Sequence, residues 1–176
     1  MDRARNPRLT LLIVALLTGV TFAAFWPVIQ NGFIGYDDFE YIIQNPHVAT
    51  GLRWENIQWA LTAFYSSNWH PLTWISHMLD VQIFGAKTGW HHFISLLMHA
   101  ANSALLFVLL RRLTGALWRC AIVAALFALH PLHVESVAWA AERKDVLSTL
   151  FFLLTLLCYA VLTQVVKQRL LRRSWI

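Results

Sequence analysis

Long apolar runs separated by polar segments dominate this chain. Three of them extend from Leu9 to Ile29, from Phe93 to Leu110 and from Val146 to Val166. About 17–25 helical residues cross the hydrocarbon core of a bilayer, so each run is long enough for one span. Another run begins at Trp118 and crosses fully only if its helix continues to about Ala141. The pattern predicts an all-α membrane protein with four transmembrane helices in one domain, residues 1–176, with spans at about 9–29, 93–110, 118–141 and 146–166 and no repeat domain.

The run that begins at Trp118 is interrupted in its second half by polar residues and a proline. Pro131 removes a backbone hydrogen bond, and ionisable groups are costly inside a membrane. Either the helix breaks at Pro131 beside a water-filled cavity, or it ends there and a short interfacial helix follows. Both alternatives place His130, His133 and Glu135 near the outer surface.

The long segment between the first two spans, residues 30–89, contains two stretches with apolar residues at helical spacing, Leu52–Phe64 and Pro71–Phe84. Both are too short and too polar to span, and they are rich in tryptophan, which suits the lipid headgroup region. We therefore predict two amphipathic interfacial helices in this loop. On the second helix, one stripe is apolar and the opposite stripe is polar. The apolar members are Leu72, Ile75, Leu79 and Ile83, and the polar ones are Thr73, Ser76, His77 and Asp80.

A polar stripe also follows one face of the second span. Its members, His92, Ser95, His99 and Asn102, recur at intervals of three and four residues. Polar side chains in a span avoid lipid, so this face should point into a bundle or cavity.

Composition and charge support a membrane protein and orient it. The chain has 176 residues, of which 58% are hydrophobic and 13% charged, and a soluble domain of this size does not carry several such runs. The first run is longer than a signal peptide core and lacks a small-x-small cleavage site, so we expect an uncleaved anchor. By the positive-inside rule the N- and C-termini are cytoplasmic, and no nucleic-acid partner is needed to explain the net charge of +5. Basic residues concentrate before the first span (Arg3, Arg5, Arg8), between the second and third (Arg111, Arg112, Arg119) and after the fourth (Lys167, Arg169, Arg172, Arg173).

This orientation places two charged clusters on the same outer face. One is Asp37-Asp38, just beyond the first span, and the other is Glu142-Arg143-Lys144-Asp145, before the fourth. A carboxylate can accept the proton of an attacking hydroxyl, and a cation can stabilise a leaving phosphate. Without further support, the first cluster is also typical of a helix cap or solvated turn, and the second of an exposed turn between spans.

The eight histidines invite a metal-site hypothesis. His91 with His92, or His130 with His133 and Glu135, offer nitrogen and oxygen ligands. The spacing matches no strong zinc pattern, because Pro131 breaks the helix that would align His130 and His133. We therefore predict no metal, with a divalent cation as the alternative, and assign neither Cys120 nor Cys158 a role.

Four strings of the sequence are long enough to act as specific motifs: Tyr36-Asp37-Asp38, Asn68-Trp69-His70-Pro71-Leu72-Thr73-Trp74, Ser76-His77-Met78-Leu79-Asp80, and His130-Pro131-Leu132-His133-Val134-Glu135-Ser136-Val137-Ala138-Trp139 running into Glu142-Arg143-Lys144-Asp145. They resemble the N-terminal regions of bacterial membrane proteins with tetratricopeptide repeats, which are similar to the transmembrane and tetratricopeptide-repeat protein O-mannosyltransferases. The resemblance covers about residues 32–159. It implies the GT-C glycosyltransferase fold, a bacterial inner-membrane location, a lipid-phosphate sugar donor and an acceptor protein whose Ser or Thr hydroxyl receives the sugar, expected to be mannose, on the outer face.

The resemblance implies a catalytic acidic residue in the first outer loop, and the chemistry of transfer needs a cation at the leaving phosphate. Asp37 or Asp38 would be the catalytic base, and Arg143 or Lys144 would hold the donor phosphate. Other residues would line the site: Glu142, Asp145, His70, His92, His130, His133 and Glu135.

The chain also departs from the family pattern. Members of this family continue through further spans and a repeat domain, which are absent before Ile176. The chain is therefore expected to be a truncated piece or to need a second polypeptide, and to lack activity in isolation. A non-catalytic membrane scaffold or assembly subunit is the alternative function. A small transporter or channel subunit is a third hypothesis, disfavoured because paired charges in mid-membrane are lacking.

Overall fold

The computed structural model describes residues 6–35 and 37–173, with side chains as far as Val166. Tyr36, Arg3, Arg5 and the side chains of the basic residues after Val166 lie outside the described part, although the motif and orientation arguments used them. The eight α-helices of the described chain are α1 (Pro7–Phe25), α2 (Pro46–Ala49), α3 (Trp54–Thr62), α4 (Pro71–Phe84), α5 (Thr88–Thr114), α6 (Leu117–Leu129), α7 (His133–Ala138) and α8 (Arg143–Arg173). Short 3-10 turns cover Trp26–Gln30 and Ala140–Glu142, and a π-helical turn covers Phe39–Ile43.

Local sequence signals account for several helix ends. The side chain of Asn6 accepts a hydrogen bond from the backbone N–H of Arg8 at 3.1 Å, and Pro7 occupies the first helical position of α1. Pro71 begins α4 in the same way. Gly115 ends α5 with φ +72°, a left-handed conformation that favours glycine.

Helix α5 is the centre of the bundle and packs against α1, α6 and α8. Phe107 of α5 is fully buried among Ile13 and Leu17 of α1 and Cys120 and Ala124 of α6. At the start of α5 the backbone approaches the end of the first helical segment closely. A Cβ on Gly89 would lie 2.7 Å from the carbonyl oxygen of Ile29, so only glycine fits there.

Three helical segments of the described chain are long and apolar enough to cross a membrane: Pro7–Gln30, Thr88–Thr114 and Ala140–Val166. Helix α6 is also apolar but has only 13 residues, about 20 Å at 1.5 Å per residue, which is shorter than a bilayer core of about 30 Å. The protein is therefore an all-helical membrane protein in which the third of the four expected spans is not a continuous helix, and the count of four is not confirmed.

The helix ends before Pro131 and a short helix follows, as one of the two alternatives expected; the interfacial position of that short helix stays a prediction. Helix α6 ends at Leu129, a turn covers residues 130–132, and the short helix α7 follows. The ring of His99, halfway along α5, bonds the carbonyl oxygen of Ala128 through Nε2 at 3.0 Å. Beyond the turn, Val137 packs with Leu96 near the start of α5. Together α6 and α7 thus return the chain along α5, and α8 begins at the bundle end where Asp38 lies. We call this the Asp38 end.

The segment between α1 and α5 folds into a compact layer at the Asp38 end. Its core contains the fully buried Trp74 together with Tyr41, Ile42 and Met78, and it packs against Ala140 and Ala141 ahead of α8. The two helices expected in this segment are confirmed as helices, α3 and α4. Their position parallel to the membrane stays a prediction.

The two stripes of α4 are inverted relative to a water-soluble helix. The polar members Thr73, His77 and Asp80 are buried, whereas Leu72 and Ile83 are 53% and 60% exposed. The tryptophans of this loop were expected in the lipid headgroup region, but Trp74 is buried in the protein. An apolar face turned outward suits contact with lipid.

Chemical labelling would test the orientation. In a Cys120→Ala/Cys158→Ala background, single cysteines at Ser67 and Glu135 should react in intact cells with a membrane-impermeant maleimide, and one at Thr114 should react only after lysis. All three positions are exposed in the structure. The expectation rests on the distribution of Lys and Arg. Labelling at Thr114 alone would reverse the orientation.

Candidate functional site

Asp38 joins the two charged clusters. It has no exposed surface, and its Oδ1 accepts a 2.7 Å hydrogen bond from the backbone N–H of Ala141, immediately before Glu142. Its Oδ2 accepts a 2.9 Å bond from the N–H of Ile34. Burial raises the pKa of the Asp38 carboxyl above its usual value, although these bonds and the nearby His92 oppose the shift. Asp38 therefore anchors the turn before α8 to the loop after α1.

Tyr41 is a buried residue of the loop layer near both charged clusters. Its hydroxyl accepts a 2.8 Å hydrogen bond from Nδ2 of Asn68. Burial raises the pKa of Tyr41; the charge of Lys144 acts against this shift, and those of Asp37 and Glu142 reinforce it. Asp37 itself is half-buried.

Lys144 is the accessible cation of the second cluster. Its side chain is 35% exposed, and its Nζ donates a 2.9 Å hydrogen bond to Oε1 of Glu142. Lys144 also lines a cavity of about 250 Å³ together with His70, whose ring lies tilted by 46° against that of Trp74 at a centroid distance of 4.5 Å. Burial, assisted by the charge of Lys144, lowers the pKa of His70 to about 4. His70 is therefore neutral at physiological pH.

Apart from Thr73 and Ser148, the rest of the cavity lining is apolar. Its walls include Leu72 of α4 and Leu147 and Phe151 of α8, and Leu72 and Phe151 are exposed on the outside of the bundle. A cation in a mainly apolar groove matches an amphiphile with an anionic head.

The side chain of Arg143 contacts other residues inside the fold. It is fully buried, and its guanidinium forms an ion pair with Asp80 of α4, with Nη1 and Oδ2 2.5 Å apart. Nη2 donates to the carbonyl oxygen of His91 at 2.7 Å, and Nε donates to Oγ of Ser95 at 3.3 Å. Arg143 thus ties α8 to α4 and α5, and its guanidinium has no exposed surface.

A second cavity, also about 250 Å³, lies on another side of the first turn of α8. Asp145 and His133 line it with His99 and Asn102 of the polar stripe on α5. Oδ2 of Asp145 accepts a 3.0 Å hydrogen bond from Oγ of Ser136. All four residues of the stripe are buried, which confirms that this face points into the bundle.

The remaining predicted site residues are dispersed. His92 is fully buried near Asp38, with Phe33 against its ring. His130 and Glu135 are exposed around α7, and Nδ1 of His130 accepts a bond from the N–H of Leu132 at 3.3 Å. The structure thus brings Asp37, Asp38, Glu142, Lys144 and His70 together, and places Asp145 with His133 in the second cavity.

Three participants were not singled out from the sequence. Tyr41 and Asn68 lie near the charged clusters, and Asp80 holds Arg143. Asp80 and Asn68 lie inside the motif strings, which was the available signal. Tyr41 follows Asp37 by four residues, so one helical turn brings the two together.

Comparison with known proteins identifies relatives. The chain is 32% identical to protein O-mannosyl-transferase Tmtc2 of Drosophila melanogaster over 148 residues, which is 80% of this chain and 16% of that protein. It is 35% identical over 132 residues to tmtc2 of Xenopus laevis and 29% identical over 153 residues to TMTC3 of Homo sapiens, covering 70% and 83% of this chain and 16% of each relative. No family model and no solved structure matches. The chain belongs to the family of these protein O-mannosyl-transferases and spans about one sixth of their length. The resemblance to this family that the motifs predicted is thus confirmed, whereas a bacterial origin is not.

Proposed function

Because 80% of this chain aligns at 32% identity with a protein O-mannosyl-transferase, we propose that it forms the part of such an enzyme that carries the catalytic carboxylate and a donor-phosphate cation. The reaction transfers a mannosyl group from a lipid-phosphate sugar to a Ser or Thr hydroxyl of an acceptor protein at the outer membrane face. The observation that carries this proposal is the 2.7 Å hydrogen bond from the N–H of Ala141 to Asp38, because it holds the Asp37-Asp38 loop against the turn that leads to Lys144. The reaction needs one carboxylate and one cation, and these two segments supply them.

We assign the role of base to Asp37 and a positioning role to Asp38. Both oxygens of Asp38 already accept backbone hydrogen bonds, and the residue has no exposed surface. Asp37 is partly exposed, so its carboxylate has access to an acceptor hydroxyl.

In the proposed reaction, the acceptor oxygen attacks the anomeric carbon of the sugar while Asp37 takes the hydroxyl proton. The bond between that carbon and the phosphate oxygen breaks, and the lipid phosphate leaves with the bonding electron pair. Lys144 stabilises the negative charge that develops on the phosphate. Glu142 holds the ammonium group in place, as its 2.9 Å hydrogen bond supports.

The apolar groove beside Lys144 supports a lipid-linked donor. Leu72, Leu147 and Phe151 offer a wall for the hydrocarbon chain, and the ammonium group lies where the head of such a lipid would meet it. Arg143 takes a positioning role in this proposal, because it holds the start of α8, and with it Lys144, against α4 and α5.

Transfer should be measurable in membranes that contain the intact gene product. We expect mannose to pass from polyprenyl-phosphate mannose to a peptide containing Ser and Thr. The variant Lys144→Gln should raise the KM for the lipid donor about tenfold or more, because a hydrogen bond to a charged group contributes roughly 1.5–3 kcal/mol. Lys87→Gln, which removes an exposed lysine at the start of α5, is the matched control and should leave the KM unchanged. Membranes without transfer to any such peptide would contradict the function, and an unchanged KM in Lys144→Gln would contradict the assignment of the phosphate site.

A further inference from the structure

Three potential metal ligands meet where α4 packs against α5. His77 and Asp80 are three residues apart on α4, so their side chains lie on the same face, and His91 comes from the first turn of α5. His77 and His91 have no exposed surface and Asp80 is 3% exposed. One ligand atom from each residue lies within 4.8 Å of the others.

The distances match those of a metal centre. The Nδ1 atoms of His77 and His91 are 3.3 Å apart, and Nδ1 of His91 is 3.4 Å from Oδ2 of Asp80. Zinc bonds nitrogen and oxygen ligands at about 2.0–2.2 Å, and in a tetrahedron such bonds place neighbouring ligand atoms about 3.3–3.6 Å apart. The ligand atoms of His77 and Asp80 lie within 4.8 Å of each other, so a small shift of one side chain brings all three atoms to an ion.

The two rings also have the orientation of metal ligands. Each directs Nδ1 at the other ring, and each Nε2 is buried and makes no full hydrogen bond to a described residue. The backbone of Ala140 interacts with the ring of His77, and that of Gly85 with the ring of His91. A histidine that binds zinc through one nitrogen generally donates its other N–H to a backbone carbonyl or a carboxylate, so these two carbonyl groups are in place for that role.

Arg143 is compatible with an ion at Asp80. Arg143 and His91 both approach Oδ2 of Asp80. A carboxylate offers about four lone-pair sites on its two oxygens, so Asp80 can accept from the guanidinium and bind a metal at once. The guanidinium then acts on the metal through Asp80, by holding the carboxylate in position.

We propose that His77, Asp80 and His91 bind a Zn²⁺ ion that links α4 to α5. Two imidazoles and one carboxylate occupy three tetrahedral positions, and water takes the fourth. The ion stabilises the packing of the loop layer on the bundle, because ligands from both helices must come together to bind it. The proposal does not depend on sugar transfer, since it concerns metal content and stability.

The test uses the intact protein, purified in detergent without a polyhistidine tag. Elemental analysis after dialysis against buffer with trace zinc should find about one zinc per chain, and Co²⁺ in its place should give the visible absorption of a tetrahedral ion. Adding Zn²⁺ to protein stripped with EDTA should raise the Tm by several degrees, because the ion binds the folded state.

Variants show which residues bind the ion. His77→Gln and His91→Gln should weaken Zn²⁺ binding at least about 100-fold, because removal of even an indirect partner costs 10- to 100-fold. His99→Gln removes a buried histidine two turns further along α5 and should bind Zn²⁺ as the wild type does. Wild-type protein that neither retains zinc nor gains Tm from it would overturn the proposal, whatever the variants do. An equal loss of zinc in His99→Gln and His77→Gln would overturn it as well.

Discussion

Replacing Asp37 by Asn is expected to lower kcat for mannosyl transfer about 100-fold or more. The amide keeps the size and much of the hydrogen bonding of the carboxylate but cannot take the proton of the acceptor hydroxyl, and general-base catalysis contributes about 10²–10⁴-fold. The KM for the lipid donor should change little, because Lys144 rather than Asp37 contacts the phosphate in our proposal. Steady-state kinetics with polyprenyl-phosphate mannose and an acceptor peptide would measure both constants.

Two further variants separate the base from its surroundings. Glu40→Gln neutralises an exposed carboxylate three residues away, whose Oε1 accepts a 2.6 Å bond from Oγ of Ser66, and it should retain near-normal kcat. Asp38→Asn should lower stability, because an amide nitrogen cannot accept one of the two backbone hydrogen bonds that Asp38 accepts. If Asp37→Asn transfers mannose at the wild-type rate, Asp37 is not the base.

Breaking the buried ion pair should have the largest effect on stability. Arg143→Met is expected to lower the free energy of unfolding by roughly 3–5 kcal/mol, because it leaves the buried carboxylate of Asp80 without its cation. The loss is measurable by denaturant titration in detergent, with EDTA present so that any bound metal does not contribute.

The matched control removes both charges. Asp80→Leu/Arg143→Met should recover most of the loss, because no charge is left unpaired and a hydrophobic replacement of a buried pair is often neutral. Lys144→Met, at the exposed neighbouring cation, should change stability by less than about 1 kcal/mol, since exposed ion pairs contribute little. A double variant as unstable as Arg143→Met would show that the pair is not the source of the loss.

Local patterns in the sequence were sufficient to locate most helices of this protein. The long apolar runs became α1, α5 and α8, and the periodicity of the loop located α3 and α4. The polar stripe on α5 faces the interior, because water is absent from lipid and polar side chains must turn inward. Pro131 stopped α6, as its missing N–H requires.

Local patterns did not decide how long the third span is. Counting apolar residues from Trp118 to Ala141 treats the stretch as one helix, whereas α6 has 13 residues and α7 has six. The break follows from the proline, but only the packing of His99 against Ala128 and of Val137 against Leu96 shows that both pieces run along α5.

In the candidate site, too, local sequence patterns decided some features and the tertiary structure decided others. The motif strings identified Asp37, Asp38 and the cluster from Glu142 to Asp145, but not which member is accessible. Arg143 and Lys144 are neighbours in sequence, yet Arg143 is buried in an ion pair with Asp80, whereas the side chain of Lys144 is partly exposed. A turn of about 100° per residue in a helix directs neighbouring side chains to different surroundings, and only the fold determines what lies there.

The sequence by itself thus determined the helical membrane class, the family resemblance and the candidate acidic and basic residues, because these follow from composition, periodicity and short motifs. The tertiary structure alone decided that Asp38 binds the N–H of Ala141, 103 residues away, that Asp145 faces a different cavity from Lys144, and that the polar face of α4 is buried. These features depend on contacts between distant segments. Such contacts are set by how whole helices pack, which no local window of residues contains.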